Sequence, residues 1–292
     1  ESNNITKVKV YNTKDIKAEK KNIIQLYEAV SVELGDTPFE IFYINMSPAA
    51  RSPRWLVYKH EPVAHEARYT CTEDIEKYLG ISFDDNEFDP EELITAIEIV
   101  MPKLEKLYNS KVRHYVVKQH TLLVCRQFEK YAFELNTKVM NIDLMRLVLA
   151  MHDIGKAIDR ATQHIYTQSL IREFWSESPF TDYELKLVEA LLKDDHLGKF
   201  FQGKYDCNML QEEIKKDAEE LQIDASCLLQ LKMVLYQCDI ASYTKDAGGL
   251  RYLEHMFVYE NNKKTFNEEN GLLAMSADYW SRYKQLKSLI YE

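Results

Sequence analysis

Apolar residues recur along much of this chain at intervals of three and four, the spacing of helices with one buried face. Between Ile16 and Leu34, the residues Ile23, Tyr27, Val30 and Leu34 keep that interval and predict an amphipathic helix. The pattern then changes to two short β-like runs, Phe39–Met46 and Trp55–Lys59. The turn-rich Ser47-Pro-Ala-Ala-Arg-Ser-Pro53 separates them, which predicts a small hairpin or two-stranded flap. Asp89, Pro90 and the acidic Glu91 and Glu92 announce the next helix. Its apolar face is Leu93, Ile97, Val100, Leu104 and Leu107, with a kink expected at Pro102.

From Val112 onward the helical period dominates. The predicted helices are Val112–Tyr131, Asp143–His152, Gln163–Trp175, Thr181–His196, Asn208–Leu221, Ala225–Tyr243, Gly249–Tyr259 and Leu272–Tyr291. Thr181 and Glu184 form a capping-box pattern, and Gly198 lies beyond that helix's expected end. The pattern as a whole predicts a mostly α protein in three parts. These are a small mixed α/β region over residues 1–88, a helical body over 89–260, and a C-terminal helix within 261–292 that packs on the body.

Composition narrows the classes. Eight Gly and seven Pro in 292 residues are too few for the many tight turns of a barrel or sandwich, while 46% hydrophobic content can fill a core. Lys plus Arg number 37 against 47 Asp plus Glu, a net charge of −10 that disfavours a long nucleic acid as partner. The five cysteines are scattered without a CxxC, so free thiols are expected rather than a zinc knuckle or disulfide framework. The first residues, Glu1-Ser-Asn-Asn-Ile5, lack a basic stretch followed by an apolar run. The most apolar segment, Leu144–Met151, is interrupted by Arg146 and too short to span a bilayer. A cytoplasmic protein with no membrane partner is the expectation.

Four helical segments place metal-binding side chains informatively. His120 shares a face with Val116, Val117, Leu123 and Val124. Leu144, Val148 and His152 fall at i, i+4 and i+8, and Asp153, Ile154 and the helix-ending Gly155 follow. Val188, Leu192 and His196 repeat the spacing behind Asp194 and Asp195, and Leu231, Leu235 and Asp239 repeat it again. A buried carboxylate is costly unless paired or metal-bound. Two histidines and two carboxylates converging from helix ends would hold a divalent cation with mixed nitrogen and oxygen ligands. That donor set suits Mg, Mn, Fe, Co, Ni or Zn without choosing among them. For any one position taken alone, a hydrogen-bonded core histidine is the more frequent outcome.

The segment Leu147–Lys156, LVLAMHDIGK, resembles the central motif of the HD-domain metal-dependent phosphohydrolases, all-α proteins whose ligands run in the order His, His-Asp, Asp. Gln119–Ala132, QHTLLVCRQFEKYA, is similar to that family's first-histidine helix, and Leu228–Tyr243 to its closing helix. The resemblance covers about half the chain, roughly Val112 to Tyr259, and implies His120, His152, Asp153 and Asp239 as metal ligands. It also implies a phosphate-directed role for Lys156 and a water-orienting role for Asp153. After HDIGKAID the sequence continues to His164, a stretch similar to ribonuclease Y-like HD domains in which a histidine serves a second metal. His196, or Asp195, stands where those domains carry a His-His pair, but here the pair reads Asp-His, which leaves one ion or two open. The run Gly248-Gly249-Leu-Arg251 loosely resembles the turn after the last ligand in those domains. Arg126, Lys199 and Arg251 are candidates to line the cleft. Arg51 and Arg54 would cap it, if the loop carrying them is more than a surface loop.

The resemblance implies a phosphomonoesterase or phosphodiesterase acting on a small nucleotide-like substrate through a metal-activated water. Three other readings stay open. One is a nuclease on short single-stranded RNA, against which the acidity and the absence of a GXXG element count. Another is a di-iron oxygenase using both His164 and His196. The last is a non-catalytic HD-like module that binds a partner protein through residues 1–88.

Overall fold

The computed structural model describes residues 8–12, 39–44, 54–59, 69–84, 88–131, 135, 139–249, 252–267 and 270–291. The chain divides into two compact units, Glu1–Ala67 and Arg68–Glu292. In the first unit, β1 (Val8–Asn12), β2 (Phe39–Ile44) and β3 (Arg54–Lys59) form an antiparallel sheet in the order β1-β3-β2. The two β-like runs pair from Phe39↔Lys59 to Ile44↔Arg54, and β1 adds a third strand that the sequence pattern did not signal. The helix expected over 16–34 and Arg51 of the expected cap lie outside the described residues. So does the environment of the Arg54 side chain.

The second unit is a mostly α-helical bundle with minor two-stranded sheets. Its first helices are α1 (Thr72–Leu79), α2 (Pro90–Val100) and α3 (Lys103–Tyr108). Asp89 caps α2 by accepting the Glu91 N–H at 2.9 Å. Pro102 does not kink one long helix; it separates α2 from α3. Strands β4 (Lys111–Val112) and β5 (Tyr115–Val116) follow, then α4 (Val117–Tyr131). The helix expected from Val112 therefore begins five residues later. Arg113 takes φ +56° at the turn, a left-handed conformation that no right-handed helix can contain.

Helix α5 (Ile142–Met151) is capped by Asn141, which accepts the Leu144 N–H at 2.7 Å. It is buried all round from Asp143 to Met151, Arg146 included. The Arg146 guanidinium donates to both Glu129 oxygens at 2.9–3.0 Å and to the Phe83 carbonyl at 3.1 Å, so its charge is compensated inside the core. A 3₁₀ turn (Ile154–Ala157) leads to α6 (Gln163–Ser176) and α7 (Asp182–Leu192). The Thr181–Glu184 capping box forms, and Glu184 also receives the Thr70 N–H at 3.0 Å, tying the start of the unit to α7.

Helix α7 stops at Leu192 instead of running on to His196. Asp194 accepts the His196 N–H at 2.9 Å and starts a new helix, α8 (His196–Phe201), so that Gly198 sits inside a helix instead of beyond one. Then come α9 (Cys207–Leu221) and α10 (Ala225–Ser242). Helix α10 is apolar on nearly every side, with Leu228, Leu231, Met233, Val234, Cys238 and Ala241 buried, and it is the central element of the bundle. It packs along α4 and α9 and against α11 (Ala277–Tyr291). Each fully buried Leu, Val or Met contributes roughly 1.5–3 kcal/mol.

The helix expected over Gly249–Tyr259 does not form. A Cβ on Gly249 would lie 1.8 Å from the Ser242 carbonyl oxygen, so this is a tight reversal that only glycine allows. Beyond it, β6 (Tyr259–Glu260) and β7 (Lys263–Lys264) join through Asn261 and Asn262, both at positive φ, the pattern of a two-residue hairpin turn. Strand β8 (Phe266–Asn267) pairs with β9 (Leu272–Leu273), which occupies the start of the helix expected over Leu272–Tyr291, so that the helix begins at Ala277. All five cysteines are free thiols, and no described helix is long and apolar enough to cross a membrane.

Candidate metal centre

His120 on α4, His152 and Asp153 at the end of α5, and Asp239 near the end of α10 each bring one ligand atom to within 4.8 Å of the others. Two of the helices, α5 and α10, end their apolar stripes at this point, and α4 begins its buried face here with Val117 and His120. The 3₁₀ turn after Asp153 needs the close approach of α6. A Cβ on Gly155 would lie 2.2 Å from the Gln163 carbonyl oxygen and 2.6 Å from Thr167 Oγ1. Thr167 Oγ1 in turn accepts the Gly155 N–H at 3.1 Å. Glycine at this position serves contact, since its φ is not in the left-handed region.

The protein fixes the orientation of both imidazoles. His152 Nδ1–H donates to the Leu149 carbonyl at 2.7 Å, which leaves Nε2 as a lone pair directed into the cluster. For His120 the partner is Ser242. Its hydroxyl donates to the Asp239 carbonyl at 2.6 Å, so its oxygen is free to accept from His120 Nδ1 at 3.3 Å. His120 Nε2 then faces Asp153 Oδ2 at 3.2 Å and Asp239 Oδ1 at 3.0 Å. Tyr243 stacks on the same ring at a centroid distance of 4.8 Å, and Tyr115 lies at 4.9 Å.

A lone pair set against two carboxylates is repulsive unless a positive charge lies between them. Without an ion, a proton supplies that charge. Burial opposes it, yet Asp153 and Asp239 lift His120 to about 9. Asp239 is held well below the usual carboxylate range. Burial acts against this, while His120, His152 and Lys156 outweigh it. Of the buried side-chain atoms without a hydrogen bond among the described residues, two belong to this cluster, His152 Nε2 and Asp239 Oδ1. The 3.0 Å separation of Asp239 Oδ1 from His120 Nε2 is close enough for charge attraction but lacks hydrogen-bond alignment. Two nitrogen and two carboxylate donors, two of them orphaned and all aimed at one point, fit a divalent cation.

Lys156 stands beside this set. Its ammonium donates to Asp153 Oδ2, and only 14% of its side chain is exposed. Burial opposes its charge, but Asp153 and Asp239 hold it protonated. A cavity of about 130 Å³ opens from the cluster, lined by His152, Asp153, Lys156, His164, Asp195 and Asp239 among others. His164 lies in the first turn of α6, accepts from Gln163 Nε2 at 3.4 Å, and burial lowers its pKa.

His196 lies elsewhere. It forms a second His/carboxylate set with Asp194 and Glu213, its Nδ1 2.9 Å from Glu213 Oε2 and its ring stacked on Tyr205 at 4.2 Å. His164 is not among the donors of either set. Arg126 faces Glu91 at 3.6 Å and is half exposed, so it meets a surface partner, not the cluster. Arg251 lies outside the described residues.

Ser242 and Tyr243 were not singled out in the sequence, although they fall three and four residues after Asp239 and hence on its helix face. Glu213 carried no sequence signal, because it reaches His196 from another helix. The sequence matches no protein-family model and no curated protein.

Proposed function

We propose that this chain is a metal-dependent phosphohydrolase that cleaves a phosphomonoester or phosphodiester in a nucleotide-like substrate. The observation that carries this reading is the pair of orphaned atoms, His152 Nε2 and Asp239 Oδ1, inside a His/His/Asp/Asp set with a buried lysine at its edge. His120, His152, Asp153 and Asp239 would hold the ion. A bound divalent cation lowers the pKa of water and neutralises a phosphoryl oxygen.

The remaining work falls to the chain. Ser242 and the Leu149 carbonyl keep both Nε2 atoms turned inward. Asp153, kept ionised by Lys156 and the two histidines in spite of its burial, accepts a hydrogen bond from the attacking water and orients it. Lys156 reaches from Asp153 into the cavity and meets phosphoryl charge there. A second ion is a further part of the reading. Its candidate ligands are Asp194, His196 and Glu213, a set that does not include His164, so the oxygenase reading built on both His164 and His196 gains no support from it.

The test is elemental analysis of the purified chain, followed by turnover of a panel of phosphomonoesters, cyclic nucleotides and dinucleotides with added metals. Stoichiometric metal together with metal-dependent turnover that Asp239→Ala abolishes is the expected result. No metal uptake and no turnover across the panel would overturn it. Retention of partner binding by Asp239→Ala, without any turnover in the parent, would favour a docking module.

A further inference from the structure

Outside the metal centre, a cavity of about 480 Å³ is lined by Arg113, Lys156, Arg160 and Lys199, with Asp195 as its one acidic residue among the described residues. That volume suits a small-molecule ligand. Lys156, His164 and Asp195 line both this space and the inner cavity, so the two adjoin. Their charge is opposite in character. Carboxylates outnumber cations around the inner space, whereas cations dominate the outer one, in a chain of net charge −10.

Lys118, Lys130, Arg146 and Lys193 are each paired to a carboxylate. Among the described residues Arg113, Arg160 and Lys199 make no ion pair, which is equally true of Lys186 and Lys204; what sets the three apart is that they line one cavity together. Arg113 also occupies φ +56° in the two-residue turn between β4 and β5, a position that favours glycine. An arginine kept there puts its charge at the tip of the hairpin, on the cavity wall. Tyr115, Tyr243 and the 66% exposed Tyr252 add aromatic surface to the same wall.

We propose that Arg113, Arg160 and Lys199 form a second phosphate subsite, so that the substrate carries at least two phosphoryl groups, one at the metal centre and one at this rim. The inference rests on the phosphohydrolase reading for the inner position only. Lys156 borders both positions and meets the first group. The three rim cations meet the second, and the tyrosines offer stacking surface to a planar base.

Calorimetric titration of the full chain in chelator, with orthophosphate and with tripolyphosphate as probes, tests the subsite apart from catalysis. Tripolyphosphate is expected to bind at least tenfold more tightly, with affinity falling steeply as salt rises. The triple variant Arg113→Gly, Arg160→Gln, Lys199→Gln is expected to lose that preference, while Lys186→Gln with Lys216→Gln keeps it. Arg113→Gly alone, which also relieves the positive φ, should lower tripolyphosphate affinity at least threefold and serves if the triple variant misfolds.

A nucleoside triphosphate and a 5′-phosphorylated dinucleotide, titrated in the same way, show whether the two groups are adjacent or bridged by a sugar. Tighter binding of either than of a nucleoside monophosphate supports the subsite. Equal affinity for all probes, or a preference that survives the triple variant, overturns it. Tripolyphosphate preference without metal-dependent turnover would retain the subsite and remove the hydrolase reading; turnover without that preference would do the reverse.

Discussion

His152 Nε2 and Asp239 Oδ1 face each other across 3.8 Å, both buried and neither hydrogen-bonded. Buried polar atoms normally find partners, and leaving one unpaired costs about 1–3 kcal/mol. A cation between them removes both penalties. The metal-loaded chain should therefore unfold at a higher temperature than the chelator-treated one, by an amount that grows with free metal concentration. Asp239→Asn should abolish most of that increment and leave less than stoichiometric metal by elemental analysis. Equal unfolding temperatures with and without metal in the parent would sink this expectation.

Ser242 acts on the centre through His120. Its hydroxyl is committed to the Asp239 carbonyl, which presents its oxygen to His120 Nδ1 and leaves Nε2 for the cluster. Ser242→Ala removes that restraint without touching a candidate ligand. Metal affinity should fall by about 10–100-fold, measured by competition with a chromogenic chelator. Ser242→Thr, which restores the hydroxyl, should recover most of it. An unchanged affinity in the alanine variant would show that packing against Tyr243 alone orients the ring.

Gly155 is the point where α6 meets the turn after Asp153. A methyl group there overlaps the Gln163 carbonyl and Thr167 Oγ1, and backbone is among the atoms that must move. Gly155→Ala should destabilise the helical unit by about 1–3 kcal/mol and weaken metal binding, because the displaced turn carries Asp153. Denaturant unfolding with and without metal separates the two effects. A variant with parental stability and parental metal affinity would contradict the close-approach role.

Much of this centre was legible in the sequence because it is built on period. His152 and Asp239 end apolar stripes whose i, i+4, i+8 spacing points inward, Asp153 follows His152 directly, and His120 shares an apolar helix face. What periodicity cannot show is pairing between distant segments. Arg146 reads as an interruption of an apolar run, yet Glu129 and the Phe83 carbonyl make it a core residue. His196 reads as the end of one helix, but an aspartate side chain two residues earlier starts another. Short elements were lost for a different reason. Arg113 and Gly249 break expected helices through local backbone geometry, against a surrounding apolar pattern that favours continuing them.

Asp246 gives the fold a pH dependence that can be separated from the metal centre. Its carboxylate accepts from Lys130, Lys264 and Tyr131, each at 2.8 Å. Burial opposes ionisation, but Lys130 and the other two donors lower its pKa from the ordinary 3.8 to about 2. On the partner's side, burial also pulls the Lys264 ammonium down despite Asp246 beside it. The carboxylate's shift decides the sign in acid, where Lys264 is charged in either case and also donates to Gln127 at 2.9 Å. A depressed carboxylate stabilises the fold fully above its unfolded value and loses that contribution as pH falls from about 4 towards 2. The parent should therefore be more stable than Asp246→Asn at pH 6, and the difference should narrow steadily below pH 4 in urea unfolding. A difference that stays constant from pH 6 to pH 3 would mean that the network acts through packing and neutral hydrogen bonds, with the ionised carboxylate contributing nothing of its own.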